Sequence, residues 1–124
     1  MMIGYATMGT SDLEKARSFY DTFFSIIGAK RAGESERHTL WQSPSGGPKI
    51  GVYLPYNNAP ATSGNGQMIG IAVDTKEQVD QLYTKAIELG GQDEGPPGPR
   101  VEGKFYMAYF RDLDGNKISL FNKI

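Results

Sequence analysis

Three tyrosines and a serine lie on predicted β-strands where their hydroxyl groups could do chemistry. Tyr5 is in the first predicted strand, Tyr53 follows an apolar run, and Tyr109 and Ser119 belong to the last two strands. A phenol can exchange a proton with a substrate, but its usual pKa near ~10 must fall strongly before it acts as a base near neutrality. The sequence therefore names Tyr5, Tyr53 and Tyr109 as candidate catalytic residues and assigns none of them a definite role.

The same strands supply the side chains of a candidate binding surface. Strand alternation places Ile50 and Val52 on the face opposite Tyr53, where apolar groups can pack on a helix. Aromatic and thioether groups on the other face suit a planar or apolar ligand, and a few hydroxyls would orient it. A filled face that binds no ligand is the alternative. The predicted ligand-binding residues are Tyr5, Thr7, Trp41, Tyr53, Met68, Tyr109, Ser119 and Phe121.

The position of Trp41 depends on the register of one hairpin. The loop at residues 44–48 contains two glycines and two prolines, and we expect it to pair Ser43 with Lys49. In that register Trp41 lies on the face of Tyr53 and lines the binding surface. A tryptophan packed in the core is the alternative.

The roles of His38 and Tyr109 also depend on the face of the sheet on which each residue lies. His38, the only histidine of the chain, lies on the face opposite Trp41, and we expect an exposed or rim histidine in preference to a general base. One histidine excludes a multi-histidine metal site within the chain. Tyr109 faces the binding surface only in one register of the last hairpin, because a one-residue slip would turn it away.

Four charged residues are weaker candidates. Arg100 and Arg111 could contact a ligand carboxylate or phosphate, although a lone arginine is more often a solvated surface charge. Asp112 and Asp114 resemble paired carboxylates, but the tight turn around Asp-Gly favours a structural role for both.

These residues are positioned by two halves with the same predicted order, β-α-β-β-β. In the first half, residues 2–9 form a strand, and Ser11 with Glu14 predicts a capping box before a helix that ends near Ile27. Gly28 suits the C-terminal cap. Three short strands follow, at residues 29–32, 38–43 and 49–55.

The second half repeats the pattern after a polar segment, residues 56–66, that reads as a connector or a pocket-edge loop. Residues 67–73 form a strand, and Thr75 with Gln78 repeats the capping box. The Gly-Pro-Pro-Gly-Pro segment at residues 95–99 predicts an edge strand or a loop. The predicted division of the single domain is repeat one at about 1–57, connector 58–66, and repeat two at about 67–124.

Composition narrows the class of protein. At 124 residues with a formal charge of −1, the chain predicts one domain with no broad basic surface for nucleic acid. The absence of cysteine excludes disulfides and thiolate metal ligands. Since no apolar run reaches ~20 residues and no leader is evident, we expect a cytoplasmic protein that does not enter a membrane.

The Phe19-Tyr20 pair, the Asp112-Leu-Asp-Gly-Asn-Lys117 ending and the duplicated plan together resemble the vicinal oxygen chelate superfamily, in its glyoxalase, bleomycin-resistance and dioxygenase branch. The resemblance covers essentially the whole chain, with Leu113 where proline is usual. It implies an α+β fold in which two βαβββ repeats form a half-open barrel with a shared cleft. It also implies a homodimer.

The resemblance further implies where a metal would be held. Enzymes of this superfamily typically bind a divalent ion through His or Glu side chains on the first and last strands of each half. The matching positions here are Tyr5, Tyr53, Met68 and Ser119, and none is a histidine or a carboxylate. Neutral phenol, thioether and hydroxyl groups are poor ligands for such ions, so we expect no metal cofactor.

The resulting hypothesis is a protein that binds a small organic molecule in an aromatic cleft without a metal, for sequestration or sensing. One alternative is a divergent lyase or isomerase of the glyoxalase kind that uses tyrosine acid/base groups. Another is a structural domain whose role is to form a dimer.

Overall fold

The structure is a computed structural model that describes residues 2–124. The chain divides into two compact units, the first ending at Ser63 and the second beginning at Gly64. The first contains β1 (Tyr5–Gly9), α1 (Leu13–Ser25), β2 (Lys30–Glu34), β3 (His38–Gln42) and β4 (Lys49–Tyr53). The second contains β5 (Ile69–Ala72), α2 (Lys76–Glu88), β6 (Gln92–Arg100), β7 (Phe105–Arg111) and β8 (Lys117–Lys123). The repeated β-α-β-β-β order predicted from the sequence is confirmed.

Each unit holds one four-stranded mixed sheet. The strand orders are β1-β4-β3-β2 and β5-β8-β7-β6, so corresponding strands occupy corresponding places in the two sheets. In both, the opening strand pairs in parallel with the unit's last strand, and the other pairs are antiparallel. The predicted α+β class is therefore confirmed. Neither sheet closes on itself, and the shared cleft stays a prediction.

Helix α1 begins one residue later than the predicted capping box requires. Asp12 is the N-cap, and its carboxylate accepts a hydrogen bond of 3.1 Å from the backbone N–H of Lys15. Ser11 instead accepts a bond of 2.7 Å from the backbone N–H of Ala61. The expected box of Ser11 with Glu14 is wrong because the serine hydroxyl holds a distant loop.

Helix α2 begins as predicted. The Thr75 hydroxyl accepts from the Gln78 backbone, and the Gln78 side chain accepts from the Thr75 backbone, which completes the capping box. The helix ends before Gly90, whose φ of +102° is the left-handed conformation expected at this point. Within residues 2–124, no helix is long and apolar enough to cross a membrane.

The hairpin between β3 and β4 differs by one residue from the expected register. Gln42, not Ser43, pairs with Lys49, so Trp41 pairs with Ile50. Since a one-residue shift turns every side chain to the other face, Trp41 lies on the side of α1 and not on the face of Tyr53. The expectation that Trp41 lines the binding face is therefore wrong, and Trp41 lies in the core.

Trp41 anchors the core of the first unit. Its side chain is only 2% exposed, and its ring centroid lies 5.6 Å from that of Tyr20 and 5.8 Å from that of Phe24. The indole N–H donates a 2.9 Å hydrogen bond to Asp21, so the polar end of the buried ring is satisfied. The aromatic face of α1 therefore specifies the orientation of β3.

The core of the second unit is largely aliphatic. One face of α2 packs on the strands through side chains that are fully buried. The helix contributes Val79, Leu82 and Ala86 to this core. These buried residues are Val79, Leu82, Ala86, Ala108, Phe110, Ile118 and Leu120.

The turn between β7 and β8 is built around Asp112. Its carboxylate accepts hydrogen bonds from the backbone N–H groups of Asp114 and Asn116, both at 2.9 Å, and from the Asn116 side chain at 3.1 Å. Gly115 supplies a φ of +87°. The structural role predicted for this acidic pair is confirmed for Asp112. The Gly-Pro-rich segment forms β6, an edge strand, as expected.

Candidate functional site

The face of the first sheet opposite α1 brings four polar or aromatic side chains together. Thr7 pairs with Gly51 and Gly9 pairs with Tyr53, so Tyr5, Thr7 and Tyr53 share this open face. His38 pairs directly with Tyr53 and joins them. The sequence predicts Tyr5, Thr7 and Tyr53 on this face. The prediction for His38 is wrong, because it depends on a hairpin register that differs by one residue from the observed one.

His38 and Tyr53 form a parallel aromatic stack. Their ring centroids are 4.5 Å apart and their planes differ by 8°. The Nδ1 atom of His38 lies 2.6 Å from the Ser35 hydroxyl, which fixes the ring orientation. Within the described part of the chain, the other ring nitrogen, Nε2, makes no hydrogen bond. The imidazole is thus held by two neighbours and keeps one nitrogen for a ligand.

A broad, open cavity of about 840 Å³ adjoins this stack. One wall is the end of the sheet, and the other is the segment of residues 54–62, which we call the pocket loop. The volume lies within the range of small-molecule sites, and among the residues that the structure describes no acidic side chain lines the cavity. Its polar and aromatic lining includes Thr7, Ser35, Arg37, His38, Tyr53 and Tyr56.

The pocket loop is fixed by side chains of the first unit. The Arg37 guanidinium donates to the Asn58 side chain at 3.0 Å and to the carbonyl of Pro55 at 2.8 Å. The Ser11 hydroxyl holds the backbone at Ala61. These contacts confirm that part of the segment predicted as a connector or a pocket-edge loop forms the wall of a pocket.

The open face of the second sheet carries the remaining predicted residues. Tyr109 pairs with Ser119, and Phe121 pairs with Met107, so the expected register of the last hairpin is confirmed. Ser119 is only 2% exposed, which leaves its hydroxyl little access to a ligand. Met68 precedes β5 and is 48% exposed.

The two candidate arginines differ in their partners. Arg111 forms an ion pair with Glu94 and donates a 2.9 Å hydrogen bond to the carbonyl of Gly115. Arg100 lies over the ring of Tyr109, with 5.9 Å between the guanidinium carbon and the ring centroid. Arg111 therefore already has two partners within the protein, whereas Arg100 lies beside an aromatic ring.

The residues at the four family metal positions do not fit a divalent ion. Tyr5 and Tyr53 in the first unit offer phenols, and Met68 and Ser119 in the second offer a thioether and a buried hydroxyl. Hard and borderline ions prefer imidazole and carboxylate ligands. In residues 2–124, no group of three or more His, Cys, Asp or Glu side chains could hold a metal.

Perturbed ionisable groups lie in structural contacts between helices and strands. The hydrogen bond from Arg31 lowers the pKa of Asp21 despite partial burial, and Asp21 in turn raises the pKa of Arg31. Burial and the contact with Asp93 raise the pKa of Tyr83. The hydrogen bond to Asp80 raises the pKa of Tyr106. These shifted pKa values reflect side-chain contacts that hold the helices against the sheets.

The sequence matches one family description over nearly its whole length. A family model described as the Glyoxalase/Bleomycin resistance protein/Dioxygenase superfamily matches residues 2–120. A search of curated protein sequences found no match.

Solved structures resemble the chain over its whole or nearly its whole length. A glyoxalase/bleomycin resistance protein from Albidiferax ferrireducens T118 is 35% identical, with a TM-score of 0.90 and 100% of each chain covered. A hypothetical protein from S. aureus is 26% identical, with a TM-score of 0.73 over 98% of this chain and 93% of its own. A genomically encoded fosfomycin resistance protein from Listeria monocytogenes is 20% identical, with a TM-score of 0.72 over 100% and 94%. This last likeness shows the fold alone.

Proposed function

Because the chain belongs to the glyoxalase/bleomycin resistance protein/dioxygenase superfamily, we propose that it binds a small organic molecule on its aromatic sheet faces without using a metal. The observation that carries the proposal is the cavity beside the His38–Tyr53 stack. Its walls are aromatic and apolar, and the free Nε2 of His38 and the hydroxyl of Thr7 supply polar contacts. Such a combination suits a planar ligand with one or two hydrogen-bonding groups.

Metal independence is supported by the chemistry of the four family positions. A protein that used the superfamily's metal would need imidazole or carboxylate groups where Tyr5, Tyr53, Met68 and Ser119 stand. The binding function therefore rests on shape, aromatic contact and hydrogen bonding. Tyr109 and Phe121 on the second sheet remain predicted ligand contacts.

The proposal is tested by screening a library of small aromatic and heteroaromatic molecules against protein pretreated with EDTA, using thermal shift and native mass spectrometry. We expect bound molecules whose affinity falls about tenfold or more in Tyr53→Leu and His38→Ala, the loss expected for a central aromatic contact or a good hydrogen bond. Gln42→Ala is the matched control, because Gln42 lies on the same strand and face as His38 but outside the cavity lining. No bound molecule, or affinities unchanged in both cavity variants, contradicts the proposal.

A second candidate is a divergent lyase or isomerase, and the held imidazole of His38 favours it. A ring fixed by Ser35 with one free nitrogen can act as a general acid or base. The tyrosines Tyr5, Tyr53 and Tyr109 remain the other acid/base candidates. Incubating each bound molecule with the protein and following it by proton NMR tests this candidate, since an enzyme would change at least one of them chemically.

The oligomeric state and the cellular location of the protein are also proposals. We propose a homodimer, which sedimentation at micromolar concentration would detect as twice the chain mass, and a cytoplasmic location. If the dimer forms but no molecule binds, the purely structural role replaces the binding function.

A further inference from the structure

Two cations contact a single aromatic ring on the open face of the second sheet. The Nζ atom of Lys117 lies 5.5 Å from the ring centroid of Tyr109, and the guanidinium carbon of Arg100 lies 5.9 Å from it. The two cations come from the strands on either side of β7, which carries Tyr109.

The position of Arg100 is set by the backbone of β6. Its guanidinium donates hydrogen bonds to the carbonyls of Pro96 at 2.8 Å and Pro99 at 3.2 Å. A Cβ atom at Gly98 would lie 2.9 Å from Nη1 of Arg100, and one at Gly95 would lie 3.6 Å from Nη2. The glycines therefore leave the space in which this guanidinium lies beside Tyr109. Two of its five N–H donors are used in these bonds, so others remain for a ligand.

No carboxylate of the described chain neutralises this pair. Across residues 2–124, neither Arg100 nor Lys117 forms an ion pair. The nearby acid, Glu94, is paired with Arg111, and Arg111 lies directly opposite Lys117 in the hairpin register. Like charges facing each other across a sheet are destabilising. The face thus carries an excess of positive charge that the fold leaves unbalanced.

Apolar groups adjoin the two cations. Tyr109 pairs with Ser119, and the next pair on the same face is Met107 with Phe121. The rings of Phe121 and Phe105 meet edge to face, with centroids 6.0 Å apart. A ligand held at the cations would therefore find an aromatic and thioether surface beside its charged group.

We propose that Arg100 and Lys117 form a binding site for the carboxylate or phosphate group of a small organic anion, whose apolar part lies on the Tyr109 and Phe121 side of the sheet. This inference goes beyond the proposed function, because it assigns a charged subsite on the second sheet and fixes the charge of the ligand, and the proposed function requires neither. Arginine and lysine both donate charge-assisted hydrogen bonds to such groups.

The test titrates ¹⁵N-labelled protein with benzoate, phenyl phosphate, inorganic phosphate and neutral benzamide, following backbone amide signals by NMR. We expect benzoate or phenyl phosphate to shift the signals of Gly95, Tyr109 and Ser119, and the stronger of the two identifies the preferred head group. Lys117→Met and Arg100→Gln should each weaken that binding by about tenfold or more, since a charge-assisted hydrogen bond is lost. Lys117→Arg should retain it, which separates loss of charge from misfolding.

Lys76→Met is the matched control, because Lys76 makes a similar contact with the ring of Tyr106, at 5.8 Å, away from the proposed site. Its affinity for the anions should equal that of the unmodified protein. Three results overturn the inference: no shift with either organic anion, benzamide binding as tightly as benzoate, or binding unchanged in both Lys117→Met and Arg100→Gln. Shifts with inorganic phosphate equal to those with phenyl phosphate would also overturn the assignment of an organic ligand.

Discussion

His38 lies face to face on Tyr53, with ring centroids 4.5 Å apart and 8° between the planes. The pair arises because the two residues are direct neighbours across β3 and β4. It places the chain's one imidazole at the edge of the cavity, where its free Nε2 can meet a ligand. The stack is therefore the structural link between the hairpin register and the proposed binding function.

The stack should be visible in the NMR spectrum of the free protein. The single histidine gives one set of imidazole C–H signals, and the ring current of Tyr53 should move them upfield. Tyr53→Leu should return them toward the positions of a free histidine and lower stability by about 1 kcal/mol, as expected for an aromatic pair. Tyr56→Leu, which changes another tyrosine of the cavity, should leave the signals in place. Unshifted signals in the unmodified protein would contradict the stack.

The charge of Asp21 should contribute an acid-sensitive part of the stability. Its pKa is lowered chiefly by the hydrogen bond from Arg31, so the folded state binds this proton less readily than the unfolded state. The contribution is then present above the ordinary carboxyl pKa and is lost as pH falls below about 4 through the lowered value. Urea unfolding followed by Trp41 fluorescence should show the advantage of the unmodified protein over Asp21→Asn shrinking in that range.

The Asp21→Asn change keeps one oxygen that can accept from the Trp41 indole, and it removes the charge together with one of the two oxygens that accept from Arg31. In an Arg31→Gln background, the same comparison should show a much weaker dependence on pH, because the principal cause of the lowered pKa is gone. A difference that is constant with pH would refute this assignment.

Tyr106 should produce the opposite dependence at alkaline pH. The hydrogen bond to Asp80 raises its pKa, so the folded state holds the phenol proton more tightly than the unfolded state. Its stabilising effect is complete below the unfolded value near ~10 and is lost as pH rises through the raised pKa. The stability difference between the unmodified protein and Tyr106→Phe, measured in urea, should decrease above about pH 10.

Asp112 should be required for the final hairpin. Asp112→Ala leaves three donors without their acceptor and should cost about 2–4 kcal/mol, given the strength of hydrogen bonds to charged groups. Asp112→Asn keeps one oxygen for the two backbone N–H groups and should cost less. Equal losses in urea unfolding for the two variants would show that the turn does not depend on this oxygen.

The elements that sequence patterns predicted well are those with strong local signals. The capping box of α2, the Asp112–Asn116 turn and the edge position of β6 all follow from residues close together in the chain. Duplication of the whole pattern then made the fold class predictable.

Errors arose where a contact between distant residues decided the outcome. Ser11 has the residue type of an N-cap, but its hydroxyl holds Ala61, fifty residues away, and Asp12 caps the helix. The loop before Lys49 has no feature that fixes its register to one residue, so Trp41 and His38 were assigned to the wrong faces. The fit of Trp41 among Tyr20, Phe24 and Asp21 favours the observed pairing.

Metal retention distinguishes a metal-independent binding protein from one that uses the superfamily's metal. Protein stripped with EDTA is incubated separately with Ni²⁺, Zn²⁺, Mn²⁺ and Fe²⁺, dialysed, and analysed for metal by mass spectrometry, and the affinity of each bound molecule from the screen is measured before and after. We expect no stoichiometric retention and unchanged affinity. One equivalent of metal retained by the unmodified protein and lost in Tyr5→Phe or Tyr53→Phe, together with ligand binding that requires it, would contradict metal-independent binding.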